Sequence, residues 1–256
     1  MTGAEFLELF GVGAVAGVVG ALLGIGGGVI LVPGFSLLLG FDLRQAVAAS
    51  LVCVVATSVA GSIVHLWRRR VHLPLALELQ FFTVAGAVGS GLVVVFVPAA
   101  PLYFAFALLL LFAAAQMVPT SAHPRDDLPF EYVRDRRGLA AAASLFGGAM
   151  AGLLGVGGGI VFVPVLHLLL RRSFIRATAT SVFMIGVTAA SGALVYLARG
   201  DVAPDRAAIA VLGVLAGSGI ASGVGHRIDA RPLKIGFALL MLWIAVQMVR
   251  RGLAQL

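Results

Sequence analysis

The sequence is poor in charged residues and contains a single cysteine. Only 11% of its 256 residues are charged, whereas 61% are hydrophobic, and the mean hydropathy is +1.08. So little charge in so apolar a chain excludes a soluble globular domain. Cys53 has no second cysteine with which to form an intramolecular disulfide. No Lys or Arg precedes Arg44, so the basic region of a signal peptide is missing, and we expect the first apolar segment to stay in the mature protein.

The few charges that are present are mostly positive. The net charge is +7 and the isoelectric point is near 11.0, a balance that would favour nucleic acid as the partner of a soluble chain. Here the basic residues lie in short segments between apolar runs, as at Arg68–Arg70. The positive-inside rule and lipid headgroups explain that placement better. We therefore expect membrane lipid, and no nucleic acid, as a partner.

Two long runs, Leu9–Phe41 and Gly138–Leu170, carry no charge at all. As one straight helix, each would be about 50 Å long, against about 30 Å for the hydrocarbon core of a bilayer. Each run is broken by glycines, which predicts a hairpin with two arms of about 15 residues, too short for two full spans. Six further stretches are long enough to cross a bilayer or nearly so, which predicts an all-α polytopic membrane protein.

The glycine break occurs twice, 131 residues apart. Leu22–Pro33 reads LLGIGGGVILVP and Leu153–Pro164 reads LLGVGGGIVFVP. The same offset relates further identical pairs: Ser50 and Ser181, Thr57 and Thr188, Gly61 and Gly192, and Gln116 and Gln247. The chain is therefore predicted to be a tandem duplication, with membrane repeats at 1–118 and 138–256 joined by a polar linker at 119–137.

The distribution of basic residues predicts how the two repeats are oriented. If each glycine-broken hairpin returns to its own side, 13 Lys and Arg residues fall on one side of the membrane and 5 on the other. This split agrees with the positive-inside rule better than the split obtained when each glycine-broken run is counted as one span. The fold is then two inverted-topology repeats, each a hairpin followed by three transmembrane helices. Both termini lie outside and the linker is cytoplasmic; whether the hairpins cross fully or re-enter stays open.

The glycines themselves are candidates for binding an anion. Three consecutive glycines cost a helix about 1 kcal/mol each relative to alanine, so their presence needs a reason. Backbone N–H groups without side chains, at the start of helices near Val29 and Ile160, favour an anion. Close helix packing is the alternative explanation. The candidate binding residues are Gly26, Gly27, Gly28, Gly157, Gly158 and Gly159, with the hydroxyls of Ser50, Thr57, Ser181 and Thr188, although such hydroxyls often bond only to their own helix.

A duplicated G-x-G-G-G-x-x-x-x-P in a membrane protein with basic loops resembles the sulfite exporter TauE/SafE family over nearly the whole chain. The resemblance implies an inner-membrane permease that exports a small sulfur-containing anion, such as sulfite or an organosulfonate, held at the hairpin tips near the midplane. A permease for another small oxyanion or a carboxylate is the alternative. The pair of small polar residues typical of the family corresponds to Thr180 and Ser181, whereas the first half has Ala49 and Ser50. One hydroxyl is therefore missing from a symmetric site, and Thr180 joins the candidate residues.

No ionisable residue falls at the bilayer centre in this topology, and the nearest is Glu78. Proton-coupled carriers usually keep such a residue, so we expect uncoupled export driven by the membrane potential, worth about 2.3 kcal/mol per charge and 100 mV.

An intramembrane enzyme with Ser36 as nucleophile and His167 as base is the rival class. We expect no catalytic residues, no metal and no cofactor. The sequence does not distinguish a monomer from a homo-oligomer.

Alanine substitutions distinguish a glycine that binds from a glycine that packs. The binding hypothesis predicts that alanine at Gly27 or Gly158 leaves stability nearly normal and weakens affinity. It predicts that alanine at Gly61 or Gly192 changes stability more than affinity.

Overall fold

The computed structural model describes residues 3–23, 26–117, 136–170, 172–224 and 230–255. Within these ranges the chain is helical and has no β-strand. The linker predicted at 119–137 lies outside the described residues except for its last two positions. The helices are α1 (Gly3–Leu23), α2 (Gly28–Pro33), α3 (Leu43–Trp67), α4 (Leu73–Val93), α5 (Ala99–Met117), α6 (Arg137–Leu154), α7 (Gly159–Pro164), α8 (Phe174–Ala198), α9 (Pro204–Val224) and α10 (Ala230–Leu253).

Eight of these helices are long and apolar enough to cross a membrane. They are all the helices above except α2 and α7, each of which continues through a π-helical turn, to Leu38 and Leu169 respectively. Large apolar side chains such as Phe81 and Phe96 are exposed on the outer surface of the bundle, as expected where lipid replaces water. The prediction of an all-α polytopic membrane protein is confirmed.

The predicted equal arms of the two glycine-broken segments are wrong. In the first half, α1 has 21 residues, whereas the second arm runs only over Gly28–Leu38. In the second half, α6 has 18 residues and the second arm is Gly159–Leu169. The prediction failed because it began the first run at Leu9. The helix starts earlier and includes Glu5 and Glu8, whose charges do not interrupt helical structure.

Corresponding helices of the two halves pack against each other in opposite directions. The bounds of α8 are those of α3 shifted by 131 residues at both ends. A Cβ on Gly186 would lie 3.0 Å from Ser58 Cβ, and a Cβ on Gly61 would lie 3.0 Å from Val182 Cγ1. Because the residue number rises along α3 while it falls along α8, these helices are antiparallel. The start of α5 likewise lies against the end of α10, where Gly252 meets Tyr103 and Phe104.

The first helix of each half packs against the other half. Helix α1 lies along α9, and α6 lies along α4. The backbones approach so closely that a Cβ on Gly17 would overlap the backbone oxygen of Val214, and a Cβ on Gly217 would overlap that of Ala14. In the second pair, a Cβ on Gly148 would meet the backbone oxygen of Thr83. Small residues at helix contacts are the usual means of close packing in membranes, and here they hold the two halves together.

Two arginines, Arg206 and Arg251, connect elements at one end of the bundle. Arg206 Nη2 lies 3.2 Å from Glu5 Oε1 at the start of α1. Its guanidinium also lies 5.2 Å from the centre of the Phe41 ring, just after the second arm. Arg251 Nη1 donates to Ser36 O at 2.7 Å. The outer ends of both arms in the first half therefore lie close together.

Candidate functional site

The two glycine motifs meet in the middle of the bundle. A Cβ on Gly26 would lie 3.5 Å from both Val54 Cγ1 and Ile185 Cγ2, and a Cβ on Gly157 would lie 2.8 Å from the same two atoms. Val54 is the twelfth of the 25 residues of α3, and Ile185 is the twelfth of the 25 residues of α8. Gly28 also approaches the other motif, since a Cβ there would lie 2.8 Å from Val156 Cα.

The backbone at these tips requires glycine. Gly26 and Gly27 have φ angles of 80° and 78°, and Gly157 and Gly158 have φ angles of 75° and 76°. Two successive residues in the left-handed region are costly for any residue with a Cβ. The left-handed pairs reverse the chain between the two arms, so that α2 and α7 both begin at the meeting point.

Helices α2 and α7 begin without side-chain caps. Gly27 and Gly158 are the capping residues, and neither offers a side chain to the first backbone N–H groups. The first N–H groups to donate back within each turn belong to Ile30, to Gly27 O at 3.0 Å, and Val161, to Gly158 O at 3.0 Å. The amides before them have no partner inside the helix. Such amides, together with the positive end of the helix dipole, favour an anion.

Ser50 and Thr57 attach the glycine loops to α3. Ser50 Oγ donates to Gly155 O at 2.8 Å, and Thr57 Oγ1 lies 3.0 Å from Gly26 O. Thr57 Oγ1 also lies 3.0 Å from the Val54 carbonyl of its own helix. Both hydroxyls are thus at the predicted place, but their protons are directed at backbone carbonyls. In this arrangement they position the loops.

The corresponding residues of the second half make different contacts. Thr180 Oγ1 accepts the His72 N–H at 3.1 Å, at the start of α4. Thr188 Oγ1 donates to Met184 O at 2.8 Å. Ser181 Oγ is buried and has no hydrogen-bond partner among the described residues. The structure thus gathers the glycines, Ser50 and Thr57 at one place, and pairs Thr180 with the start of α4.

Sequence reasoning missed two polar residues on α4. Gln80 Nε2 lies 2.8 Å from Thr83 Oγ1 and 3.1 Å from Thr188 Oγ1. All three residues are buried. A signal was present, because Gln80 and Thr83 are three residues apart on one face of a largely apolar helix, where the offset of 131 residues gives Val211 and Val214.

The two residues of the rival enzyme hypothesis have separate surroundings. Ser36 Oγ lies 3.1 Å from Arg251 Nη1. His167 Nδ1 lies 2.7 Å from Arg172 O, and its ring packs edge-on against Phe174. Ser36 and His167 belong to different halves of the chain, and each is held by contacts of its own, so their arrangement does not support a nucleophile paired with a base.

The predicted effect of alanine at the glycines is also changed by the structure. A Cβ on Gly27 would lie 2.9 Å from Ala16 O, and one on Gly158 would lie 2.9 Å from Gly147 O. Both clashes involve backbone atoms, and both residues have positive φ, so near-normal stability is the wrong expectation. At Gly61 and Gly192 the nearest atoms belong to side chains, Val182 at 3.0 Å and Leu51 at 3.3 Å respectively, and the backbone near Gly192 is at an ordinary contact distance of 3.8 Å.

Comparison with known proteins agrees with the geometry. The family model described as sulfite exporter TauE/SafE matches residues 9–248. The probable membrane transporter protein YunE of Bacillus subtilis is 24% identical over 97% of this chain and 99% of its own length. A probable membrane transporter protein of Methanocaldococcus jannaschii is 26% identical over 88% of both chains. One from Xylella fastidiosa is 25% identical over 100% of this chain and 99% of its own. No solved structure matches the chain significantly.

Proposed function

The chain belongs to the sulfite exporter TauE/SafE family, and from that membership we propose that it exports a small sulfur-containing anion such as sulfite or an organosulfonate. The eight apolar helices among its described residues and its similarity to membrane transporters over nearly full length make it a multi-pass membrane transporter. The observation that carries the proposed substrate class is the meeting of two uncapped, glycine-rich helix starts in the middle of the bundle.

The anion is held between Gly26–Gly28 and Gly157–Gly159. Backbone amides there are uncrowded by side chains, and two helix N-termini contribute partial positive charge. Neighbouring Val54 and Ile185 are apolar, which lowers the local polarity and strengthens each amide–anion contact. The proposed site holds the anion without a Lys or Arg side chain. Binding is therefore weak enough for an anion of low charge to be released.

The two halves are inverted repeats. The antiparallel packing of α3 on α8, and of α5 on α10, supports this arrangement. If the repeats were parallel, a helix and its counterpart would run in the same direction. The repeats cover 1–118 and 138–256, and a cytoplasmic linker at 119–137 joins them.

Each glycine-broken segment is a re-entrant hairpin. Two observations support this: Arg206 contacts both Glu5 and Phe41 at the outer ends of the two arms, and Gly26 lies beside the middle of α3. The tip thus reaches the midplane and the chain returns to the side from which it came. Together with the basic-residue distribution, this supports a topology with both termini outside the inner membrane.

Flux into proteoliposomes tests the function. Purified protein should carry sulfite and methanesulfonate faster than phosphate or oxalate, with protein-free vesicles as the blank. Gly26→Ala should slow flux, because it adds a Cβ in the left-handed region beside the site. Gly219→Ala is the control, since nothing lies within 4 Å of a Cβ there. Preference for oxalate or phosphate would favour the alternative of another oxyanion or carboxylate, and no flux of any anion would overturn the proposal.

A further inference from the structure

A cluster of three polar side chains lies next to the glycine tips, on one side only. It consists of Gln80 and Thr83 on α4 and Thr188 on α8. Thr83 is the eleventh of the 21 residues of α4, and thus lies at the middle of its helix. Thr188 is three residues from Ile185, which contacts both glycine tips, so the two side chains are neighbours on one face.

The hydrogen bonds of the cluster fix the orientation of the Gln80 amide. The Thr83 hydroxyl donates to Gln80 O at 3.0 Å, and the Thr188 hydroxyl donates to Met184 O at 2.8 Å. The Thr188 and Thr83 hydroxyl oxygens also lie 2.9 Å apart. With the hydroxyl protons directed at these carbonyls, both threonine oxygens accept from the two N–H groups of Nε2. A reversed amide, even with both hydroxyls turned toward its oxygen, would make fewer hydrogen bonds and leave two N–H groups without partners.

This orientation leaves one strong acceptor without a partner. Gln80 is 7% exposed, and its Oε1 accepts no hydrogen bond from any described residue. An unsatisfied buried acceptor destabilises the fold, and in native proteins it usually has a reason. An anion lacking a proton cannot be the partner of this oxygen, because both would be acceptors.

We propose that the transported anion carries a hydrogen-bond donor, an O–H or N–H, and that Gln80 Oε1 accepts it while the glycine amides hold the anionic oxygens. This rests on the proposed function and narrows its substrate class. The donor is either the proton of a monoprotonated oxyanion or a hydroxyl or amine on a short organosulfonate. The second half has Val211 and Val214 at the positions of Gln80 and Thr83. Only the first half therefore provides an acceptor for the donor of the anion.

The test compares two anions that differ in one O–H group. Ethanesulfonate and 2-hydroxyethanesulfonate have the same charge and nearly the same size. Flux of each into proteoliposomes is measured for the wild-type protein and for Gln80→Met, with Val211→Met as the control at the equivalent position of the second half. Sulfite is measured at mildly acidic and mildly alkaline pH, where it does or does not keep its proton, to locate the donor on the head group or on the chain.

We expect the wild-type protein to prefer a donor-bearing anion in at least one of the two comparisons. Gln80→Met should reduce that preference by about tenfold, as expected for one lost hydrogen bond. Val211→Met should keep the preference. If Gln80→Met does not fold, Gln80→Leu gives the same comparison. A preference that survives both Gln80 variants, or a wild-type protein without any, overturns the inference and leaves a water molecule as the partner of Oε1. Absence of all flux instead overturns the proposed function, and this inference with it.

Discussion

Individual glycines differ in what a side chain would meet at each of them. At Gly27 and Gly158 the φ angle is positive and a Cβ would lie 2.9 Å from a backbone oxygen, with the Phe162 ring nearer still at Gly158. At Gly26 the φ angle is also positive, but a Cβ would find ordinary contacts at 3.5 Å. At Gly61 the φ angle is helical and only the Val182 side chain lies near. Glycines at these different positions therefore have separable effects on stability and on binding.

Alanine at Gly27 or Gly158 should lower the free energy of unfolding by about 2 kcal/mol or more, because a left-handed conformation costs about 1–2 kcal/mol and the backbone clash adds to it. Gly61→Ala and Gly192→Ala should stay within about 1 kcal/mol of the wild type. Unfolding in detergent micelles, followed by heat or denaturant, measures both. Equal losses at all four positions would show that the conformation of the tips is not special.

At this scale the sequence predicted only part of the arrangement of the candidate residues. The duplicated motif located the glycine tips, and the offset placed Ser50 and Thr57 beside them. The contacts of Thr180 could not be anticipated, because they depend on His72, 108 residues away in the chain. Gln80 was recognisable as a polar residue in an apolar helix, but its partner Thr188 lies on another helix. Partnerships of this kind follow from tertiary packing, which a local pattern does not contain.

At the scale of helices, the structure depends on close contacts between the two halves. Helix α1 packs along α9 through glycines whose Cα atoms face the partner backbone. The bounds of α3 and α4 were predictable, since Arg68–Arg70 and Pro98 interrupt the apolar pattern at their ends. The unequal arms were not predictable, because Glu5 finds its partner Arg206 on α9 and no local signal reveals that.

Substitutions at the α1–α9 contact should loosen the two halves. Gly17→Ala and Gly217→Ala place a Cβ against backbone oxygens of the partner helix. We expect each to lower the free energy of unfolding by about 1–3 kcal/mol, as for overpacking elsewhere. Gly11→Ala and Gly219→Ala are matched controls on the same two helices, since nothing lies within 4 Å of a Cβ at either. Thermal unfolding that does not distinguish the two pairs would contradict this packing.

At the scale of the whole molecule, each half completes the other. Helices α3 and α8 cross at the centre, and each carries a contact to both glycine tips. The first helix of each half lies against the opposite half. A separated half would therefore expose both its central helix and its first helix. The duplication was readable from the sequence, but this interlocking was not.

The topology predicts the location of reporters fused to the chain. A reporter that is active only outside the cytoplasm should be active after Leu256, and one that fluoresces only in the cytoplasm should fluoresce in the linker. The reason is the excess of basic residues on the linker side of the inverted arrangement. With the linker in the cytoplasm, a cytoplasmic C-terminus would contradict the inverted repeat and require an even number of crossings in the second half, as in four spans per half.

Transport should follow the membrane potential with equal pH on both sides. The proposed site has no ionisable side chain, so each monovalent anion carries one net charge, worth about 2.3 kcal/mol per 100 mV. Potassium gradients with valinomycin set the potential in proteoliposomes, and anion flux should reverse with its sign. If flux instead requires a proton gradient and is abolished by Glu78→Gln, the export is proton-coupled.

The central claim is that the anion binds where the two glycine tips meet, and chemical protection at residue 54 tests it most directly. Val54→Cys is made in a Cys53→Ala background, with Val59→Cys, on the outer surface of the same helix, as the control. The rate of modification by a small maleimide is measured in proteoliposomes with and without the organosulfonate that is carried fastest. At about ten times its Kd, the anion should slow modification of residue 54 by about tenfold and leave residue 59 unaffected. Equal modification rates at residue 54 with and without the anion would contradict the account.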